Sequence, residues 1–417
     1  MQLTIISLLL CLFLFAQEVK AQLRNLPFFP PTDNKKKGTQ IELDSTTYDP
    51  SPPDAIELDL LTSYYAQDGN NGAVQGGIGT EQLTDYASKV SLKIPMTEKL
   101  GLNFDAGFDY YSSASTELID NVFSGESSSD MRVHGNVGFS YKLTDQQTFG
   151  LRIGGSTEYD YNSLNAGFNY GWESKDRNTT IGLNGQVFSD RWGIIYPTEL
   201  RREGPHVSTD KRQSYNGSLT ISRIINKRMQ ASVQLEGIYM KGLLSTPFHR
   251  VFFQEQEQAK VEQLPGKRLK TPIGVRFNYH VTDFLIAKLY YRYYWDDWGV
   301  QGHTASVELP FKLSRFLSVY PFYRYHTQTA ADYFQPYKEH TLDQEFYTSD
   351  YDLSELQSHT YGAGIRYSPV NGLARMKTPF KKRPIFMLKS IDIKYSHYDR
   401  STGLKANIIS AGLSFSF

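Results

Sequence analysis

The side chains most able to do chemistry in this 417-residue chain alternate with apolar ones, and the alternation assigns them to one face. Arg152, Arg276, Lys288, Arg292, Arg324, Arg366 and Lys394 share that face with Glu158 and Glu308, and Lys89, Lys93, Glu57, Asp105, Asp109 and Asp392 fall on it as well. Charges of both signs on the inner face of a closed sheet can select solutes by charge, or they can simply pair with one another and stabilise the wall. Arg276, Arg292, Arg324 and Arg366 all come from late segments and predict a basic stripe on one side of a lumen. Other chemistries find little support. Asp296-Asp297 sits at a hairpin tip, but a hard cation needs several more oxygens than this stretch spaces out. Residues 329–356 hold Asp332, Glu339, Asp343, Glu345, Asp350, Asp352 and Glu355 against Lys338 alone and read as a solvated acidic loop. The nine histidines are dispersed with no metal-ligand spacing, so no metal site is expected. His397 has no matched serine, and there is no phosphate loop or dinucleotide fingerprint. Neither an enzymatic activity nor a cofactor is expected.

The elements that must position these residues are strands. Ile56, Leu58, Leu60, Thr62 and Tyr64 alternate with Glu57, Asp59, Leu61, Ser63 and Tyr65, a period of two that recurs to the end of the chain. Clear repeats are Leu102-Phe104-Ala106-Phe108-Tyr110, Leu164-Ala166-Phe168-Tyr170-Trp172 and Leu285-Ala287-Leu289-Tyr291-Tyr293-Trp295. About sixteen such segments, each long enough to cross a bilayer at a tilt, predict an all-β fold: a transmembrane antiparallel up-and-down β-barrel of the outer-membrane type. Long polar connectors at 66–82, 112–131, 189–212, 241–269 and 329–356 alternate with tight ones such as 95–99, 144–147 and 225–228, the loop asymmetry of such barrels. The connector at 369–387 is long on the predicted short side and carries Arg375, Lys377, Lys381, Lys382 and Arg383 without an acid. Leu413, Phe415 and Phe417 end the chain in strand register, resembling the signal that barrel-assembly machinery reads. Pro321, mid-strand, predicts a bulge or kink.

Composition agrees with an alternating envelope protein. The chain is 14% aromatic and only 40% hydrophobic, with a mean hydropathy of −0.45. Lys+Arg and Asp+Glu are both 44, so the charge excess expected of a nucleic-acid binder is missing. Residues 3–16 are almost purely apolar, and Val19-Lys20-Ala21 predicts a cleaved signal peptide at 1–21 with cleavage between Ala21 and Gln22. The single cysteine, Cys11, lies inside that run, which excludes disulfides and thiolate chemistry downstream. Residues 22–54 are Pro-rich and read as a flexible periplasmic leader, and 55–417 as the barrel.

Tyr294-Trp295-Asp296-Asp297-Trp298-Gly299, followed by His303-Thr304, Glu308-Leu309-Pro310 and the run from Tyr323 through Thr327, Gln328 and Asp332 to Phe334, resembles the family called domain of unknown function 3570. Leu264-Pro265-Gly266-Lys267-Arg268 and Ser358-His359-Thr360-Tyr361-Gly362 are similar to that family too, and the matched motifs span roughly residues 240–370. The resemblance implies an exported barrel of Gram-negative bacteria, often Bacteroidota, without an established activity. It also implies genes near envelope flavin-transferase homologues, which makes a redox-linked role thinkable, although no haem or flavin attachment motif is present.

The reading that follows is a barrel in the outer membrane that passes small polar solutes, in contact with outer-membrane lipid and lipopolysaccharide. The alternative is a closed barrel that scaffolds an envelope complex through a periplasmic protein partner.

Overall fold

A computed structural model describes residues 56–113, 129–200, 208–370, 372–376 and 386–417. The signal peptide with its Ala21/Gln22 cleavage site, the leader, and residues 377–385 of the basic connector lie outside the described residues. The alternating segments form β1 (Glu57–Asp68), β2 (Leu83–Pro95), β3 (Leu100–Ser113), β4 (Ser129–Thr144), β5 (Gln147–Thr157), β6 (Tyr161–Glu173) and β7 (Thr179–Ile194). They continue as β8 (Ser208–Asn226), β9 (Met229–Gly242), β10 (Arg250–Phe253), β11 (Gln256–Val261), β12 (Lys267–Lys270), β13 (Ile273–His280) and β14 (Ile286–Trp295). The last are β15 (Gln301–Glu308), β16 (Phe311–Lys312), β17 (Leu317–Gln328), β18 (Leu356–Tyr367), β19 (Ala374–Met376), β20 (Phe386–Arg400) and β21 (Lys405–Ser416).

Each long strand pairs antiparallel with its sequence neighbour, and β1 pairs with both β2 and β21, so the sheet closes on itself. β12 and β13 lie on β9 in one continuous register and form a single stave, interrupted where Pro272 has no N–H to give. β15 and β16 likewise share one register along β17. Counting each interrupted pair once, and setting aside the three-residue β19 that pairs with the start of β20, the described residues make a closed barrel of sixteen staves. β10 and β11 form a separate hairpin outside the wall.

Pro321 does not produce the expected bulge. β17 runs past it in unbroken register with β18, Pro321 opposite Ala363. The interruption falls on the neighbouring stave at Leu309-Pro310, where the Leu309 N–H still reaches the Pro321 carbonyl at 2.9–3.0 Å spacing typical of a ladder bond (3.0 Å). Pro310 and Pro321 lie one register step apart across one ladder, which localises the loss to a single gap.

Parity separates two environments. Ile153 and Leu164 are 66% and 73% exposed on the outside, whereas lumen-facing Lys89 pairs with Asp105 at 3.6 Å and Lys93 with Glu57 at 3.7 Å. A wall this apolar on the outside and this charged within is stable only with hydrocarbon around it and water inside. Tyrosines and histidines pair on the outer face. Tyr291 Oη lies 2.7 Å from His303 Nδ1, Tyr323 Oη 2.7 Å from His359 Nδ1, and His397 Nδ1 2.9 Å from Asn407 Oδ1. Satisfying one polar tip with another suits an interfacial girdle.

The seam rests on the chain's end. Ile56 and Phe417 exchange both backbone hydrogen bonds, at 2.9 and 3.0 Å; Phe415 lies opposite Leu58 and Leu413 opposite Leu60. Ile56, Leu58, Leu92 and Ile94 are buried together there, with Phe104, Phe415 and Phe417 against them. Ile153→Arg places a charge on the lipid face and should cost the barrel roughly 2–4 kcal/mol near mid-bilayer. Thr220→Arg, which by parity points into the lumen beside Ser218, should cost far less. Denaturant unfolding in lipid vesicles compares the two, and equal losses would contradict the assigned faces.

Candidate functional site: a basic lumen wall beneath a loop cap

β13, β14, β15 and β17 run side by side, so alternate residues of these staves converge on one stretch of lumen. Arg276, Lys288, Arg292, Arg324 and Glu308 line a common cavity of about 970 Å³ there, with His326 and Tyr65. Lys288 Nζ is 2.8 Å from Glu308 Oε1, which neutralises one cation. Arg276, Arg292 and Arg324 make no ion pair among the described residues. The Arg276 guanidinium instead lies 5.3 Å from the Tyr290 ring centre and that of Arg292 6.0 Å from Tyr294, contacts that orient a cation without neutralising it. Thr304 Oγ1 and His326 Nδ1 stand 2.9 Å apart between Arg292 and Arg324 and add neutral hydrogen-bonding groups. The arrangement can hold an anion in water.

The remaining predicted lumen residues lie elsewhere. Arg366 is not part of this cavity: Asp392 Oδ2 accepts from its Nε at 2.9 Å, and Tyr320 donates to the other oxygen at 2.6 Å. The stripe therefore holds three free guanidiniums where the sequence suggested four. Lys394 Nζ sits 4.0 Å over the Phe322 ring. Arg152 lies on the wall of β5 to β9, donating to Gln186 Oε1 at 2.6 Å in a separate recess that also holds Glu236. Glu158 stands in the turn after β5, 3.5 Å from Arg132, and belongs to a second cavity near the mouth.

Loop 329–355 does not extend into solvent as expected. It packs on the β10–β11 hairpin: Phe253 and Val251 are fully buried, and the Phe253 ring meets Tyr347 edge-to-face at 5.0 Å and His340 at a tilt at 5.7 Å. Gln263 and Tyr347 exchange backbone hydrogen bonds at 3.1 and 2.7 Å. Arg250, 2% exposed, donates to both Glu199 oxygens and, at 2.7 Å, to the Val74 carbonyl, tying three loops together. Arg400 bonds Asp352 and approaches Glu81 at 3.7 Å, anchoring the cap across the seam. The cap roofs a cavity of about 680 Å³ whose floor includes Tyr65, Asp85, Asp109, Tyr111 and Arg132 and whose ceiling includes Val74, His249, Asp350 and Asp352. Tyr65 lines both cavities, so an acid-rich vestibule leads to the basic wall.

The Tyr294–Gly299 motif is the cap's fastening. Asp296, with no exposure, accepts from Arg268 Nε at 3.0 Å, Tyr294 Oη at 2.6 Å and the Trp298 and Val300 N–H groups, both at 3.0 Å. Its lone pairs are committed to these donors, which excludes the cation role considered for Asp296-Asp297. Asp297 caps the Leu269 N–H at 2.9 Å. Trp295, 37% exposed, stays in the outer girdle, but Trp298 is 3% exposed with Arg268 stacked 4.2 Å over it, a buried cation–π contact and not a second girdle tryptophan. Gly299 has φ +87°, and a Cβ there would lie 2.3 Å from Asp332 Oδ1. The Asp332 N–H donates to the Trp298 carbonyl at 2.9 Å, Thr329 Oγ1 to the Gly299 carbonyl at 3.1 Å, and Gln328 Nε2 to the carbonyls of Asp352 and Ser354, both at 2.9 Å. Thr327 lies beside them in register with Gln357 and His303. Arg250, Phe253, His340 and Arg400 escaped the sequence reading. The available signal was the aromatic content of loop 329–355, with Tyr333, Phe334, Tyr337, Phe346, Tyr347 and Tyr351, more than a solvated loop needs.

Fold and cap together define an outer-membrane-type β-barrel with a polar, partly roofed lumen. Residues 109–378, about two thirds of the chain, match the family described as Protein of unknown function (DUF3570), and the chain belongs to it. No curated protein matches the chain. Among solved structures, the ferric enterobactin receptor PfeA of Pseudomonas aeruginosa is 11% identical with a TM-score of 0.44, covering 82% of this chain and 53% of the receptor. The siderophore receptor PirA of Acinetobacter baumannii is 9% identical with a TM-score of 0.43 over the same shares, so the chain spans about half the length of these receptors. The outer membrane protein OpdK of Pseudomonas aeruginosa is 8% identical with a TM-score of 0.41, covering 87% of this chain and 99% of that one.

Asp296→Ala should strand Arg268 and open the cap at a cost of roughly 3–5 kcal/mol, the usual penalty for removing one partner of a buried pair; faster proteolysis within 243–266 and 329–355 reads it out. Burial pushes the Glu81 carboxyl up to about 7, Arg400 opposing and Asp352 reinforcing the rise. The folded cap then binds a proton that the unfolded loop releases near its ordinary value, so cap stability falls as pH rises from about 4.5 through 7. Cleavage within residues 69–82 should be faster at about pH 8 than at about pH 5, and Glu81→Gln should flatten that dependence.

Proposed function

We propose that this protein resides in the outer membrane of a Gram-negative bacterium and conducts small polar solutes, favouring anions. The observation that carries the reading is the set of three guanidiniums, Arg276, Arg292 and Arg324, facing a cavity of about 970 Å³ inside a closed wall and making no ion pair among the described residues, Glu308 being taken by Lys288. Fixed cations in a narrow low-dielectric wall raise the local concentration of anions. The apolar outer face supports contact with lipid and lipopolysaccharide. The roof of packed loops is the observation behind a second reading, in which the barrel stays shut and scaffolds an envelope complex through a periplasmic partner.

Single-channel recording in planar bilayers decides between them. The folded chain should give stable ohmic steps with a reversal potential on the anion side under a salt gradient, and the combined Arg276→Gln, Arg292→Gln, Arg324→Gln variant should lose that preference while Arg366→Gln keeps it. An unchanged reversal potential in the triple variant would remove the selector role. A folded but silent barrel would shift the reading to the scaffold.

A further inference from the structure

We propose that His249, Glu262 and Asp350 form a binding site for one divalent transition-metal ion of the zinc type, bridging loops 243–266 and 329–355 within the cap. Each residue offers an atom within 4.8 Å of the other two, and His249 Nδ1 lies 3.5 Å from Glu262 Oε1. Ligands at about 2.0–2.2 Å around a tetrahedral ion stand roughly 3.4 Å apart. One edge of the site is thus already at coordinating distance, and the third ligand is within reach of side-chain adjustment. One imidazole with two carboxylates suits zinc, manganese or ferrous iron better than calcium, which prefers oxygen alone.

The carboxylates are also oriented as metal ligands are. Thr246 N–H donates to Glu262 Oε2 at 2.6 Å, and the Thr348 hydroxyl donates to Oε1. Thr348 Oγ1 in turn accepts from the Asp350 N–H at 3.0 Å, while Asp350 Oδ1 accepts from the Asp352 N–H at 2.9 Å. One threonine therefore holds the Glu262 carboxylate and the Asp350 backbone together, the kind of outer hydrogen bonding that fixes a ligand set. Charge points the same way. Glu262 is 5% and His249 9% exposed; a protonated imidazole balances one carboxylate and leaves the other, whereas a dication beside a neutral imidazole balances both. His249 and Asp350 also line the vestibule with Asp85, Asp109 and Glu158, acids that draw cations toward the site. The neighbouring trio Asp130, Glu158 and Asp160 lacks an imidazole, and Arg132 already stands 3.5 Å from Glu158.

The test uses the chain from Gln22 refolded in detergent without an affinity tag, shown to be folded by heat-modifiable gel mobility and stripped with chelator. Zn²⁺ is titrated by calorimetry and Co²⁺ by visible absorption. The expected result is one equivalent of Zn²⁺ per chain, Co²⁺ d–d bands of a low-coordinate site, and slower proteolysis within 243–266 after metal addition. His249→Ala and Asp350→Asn should each weaken binding by more than the roughly 10- to 100-fold that loss of an outer-shell partner costs, while His280→Ala, at the opposite end of the barrel, should bind as the unaltered chain does. Absence of saturable Zn²⁺ binding by the folded chain would overturn the proposal, as would an affinity unchanged in both site variants. Conductance enters neither outcome, so the site stands or falls independently of the channel.

Discussion

The structure depends on a backbone constraint. In hydrocarbon an unpaired N–H or C=O costs several kcal/mol, about as much as many side-chain contacts supply together. A chain whose strands are apolar on one face only must close its sheet. The bonds between Ile56 and Phe417 complete that closure, and the other staves can be as irregular as their loops demand only because the ring is complete. The two interrupted staves show the tolerance and its limit: Pro272 and Leu309-Pro310 open short gaps, but neither shifts the register on either side.

A second layer of organisation uses charge where the wall uses backbone. Asp296, Arg250 and Arg400 are each nearly or fully buried, and each joins segments distant in sequence. Buried ions of this kind add less stability than apolar packing of the same volume, but the penalty for leaving one unpaired makes their geometry unambiguous. Loops that could splay into water are held in one arrangement, and the vestibule acquires a fixed shape above the basic wall.

The barrel was legible in the sequence because each strand carries its own evidence. The period of two in Leu285 to Trp295 needs no knowledge of partners, and the same parity assigns Arg276, Arg292 and Arg324 to the interior. The cap carries no such local evidence. Phe253 meets His340, and Arg250 meets Val74, across separations that no period spans, and the acids of 329–355 read as solvated when counted without their partners. Trp298 shows a related limit: its spacing from Trp295 fits a girdle pair, but the αL turn at Gly299 swings it under Arg268. Arg366 shows the limit of parity, which finds the right face but is blind to Asp392 across the ladder.

The cap has a consequence for the order of events in assembly. Arg400 approaches Glu81, and Asn71 donates to the Thr402 carbonyl 331 residues away, so these two contacts join the two ends of the ring. Loop-closure entropy for such contacts is met only once β21 has docked on β1. Until then the buried arginine has Asp352 but lacks Glu81, and the vestibule lacks one side. The mouth of this barrel is therefore a late product of folding, and a roofed mouth is a record that the seam beneath it has closed.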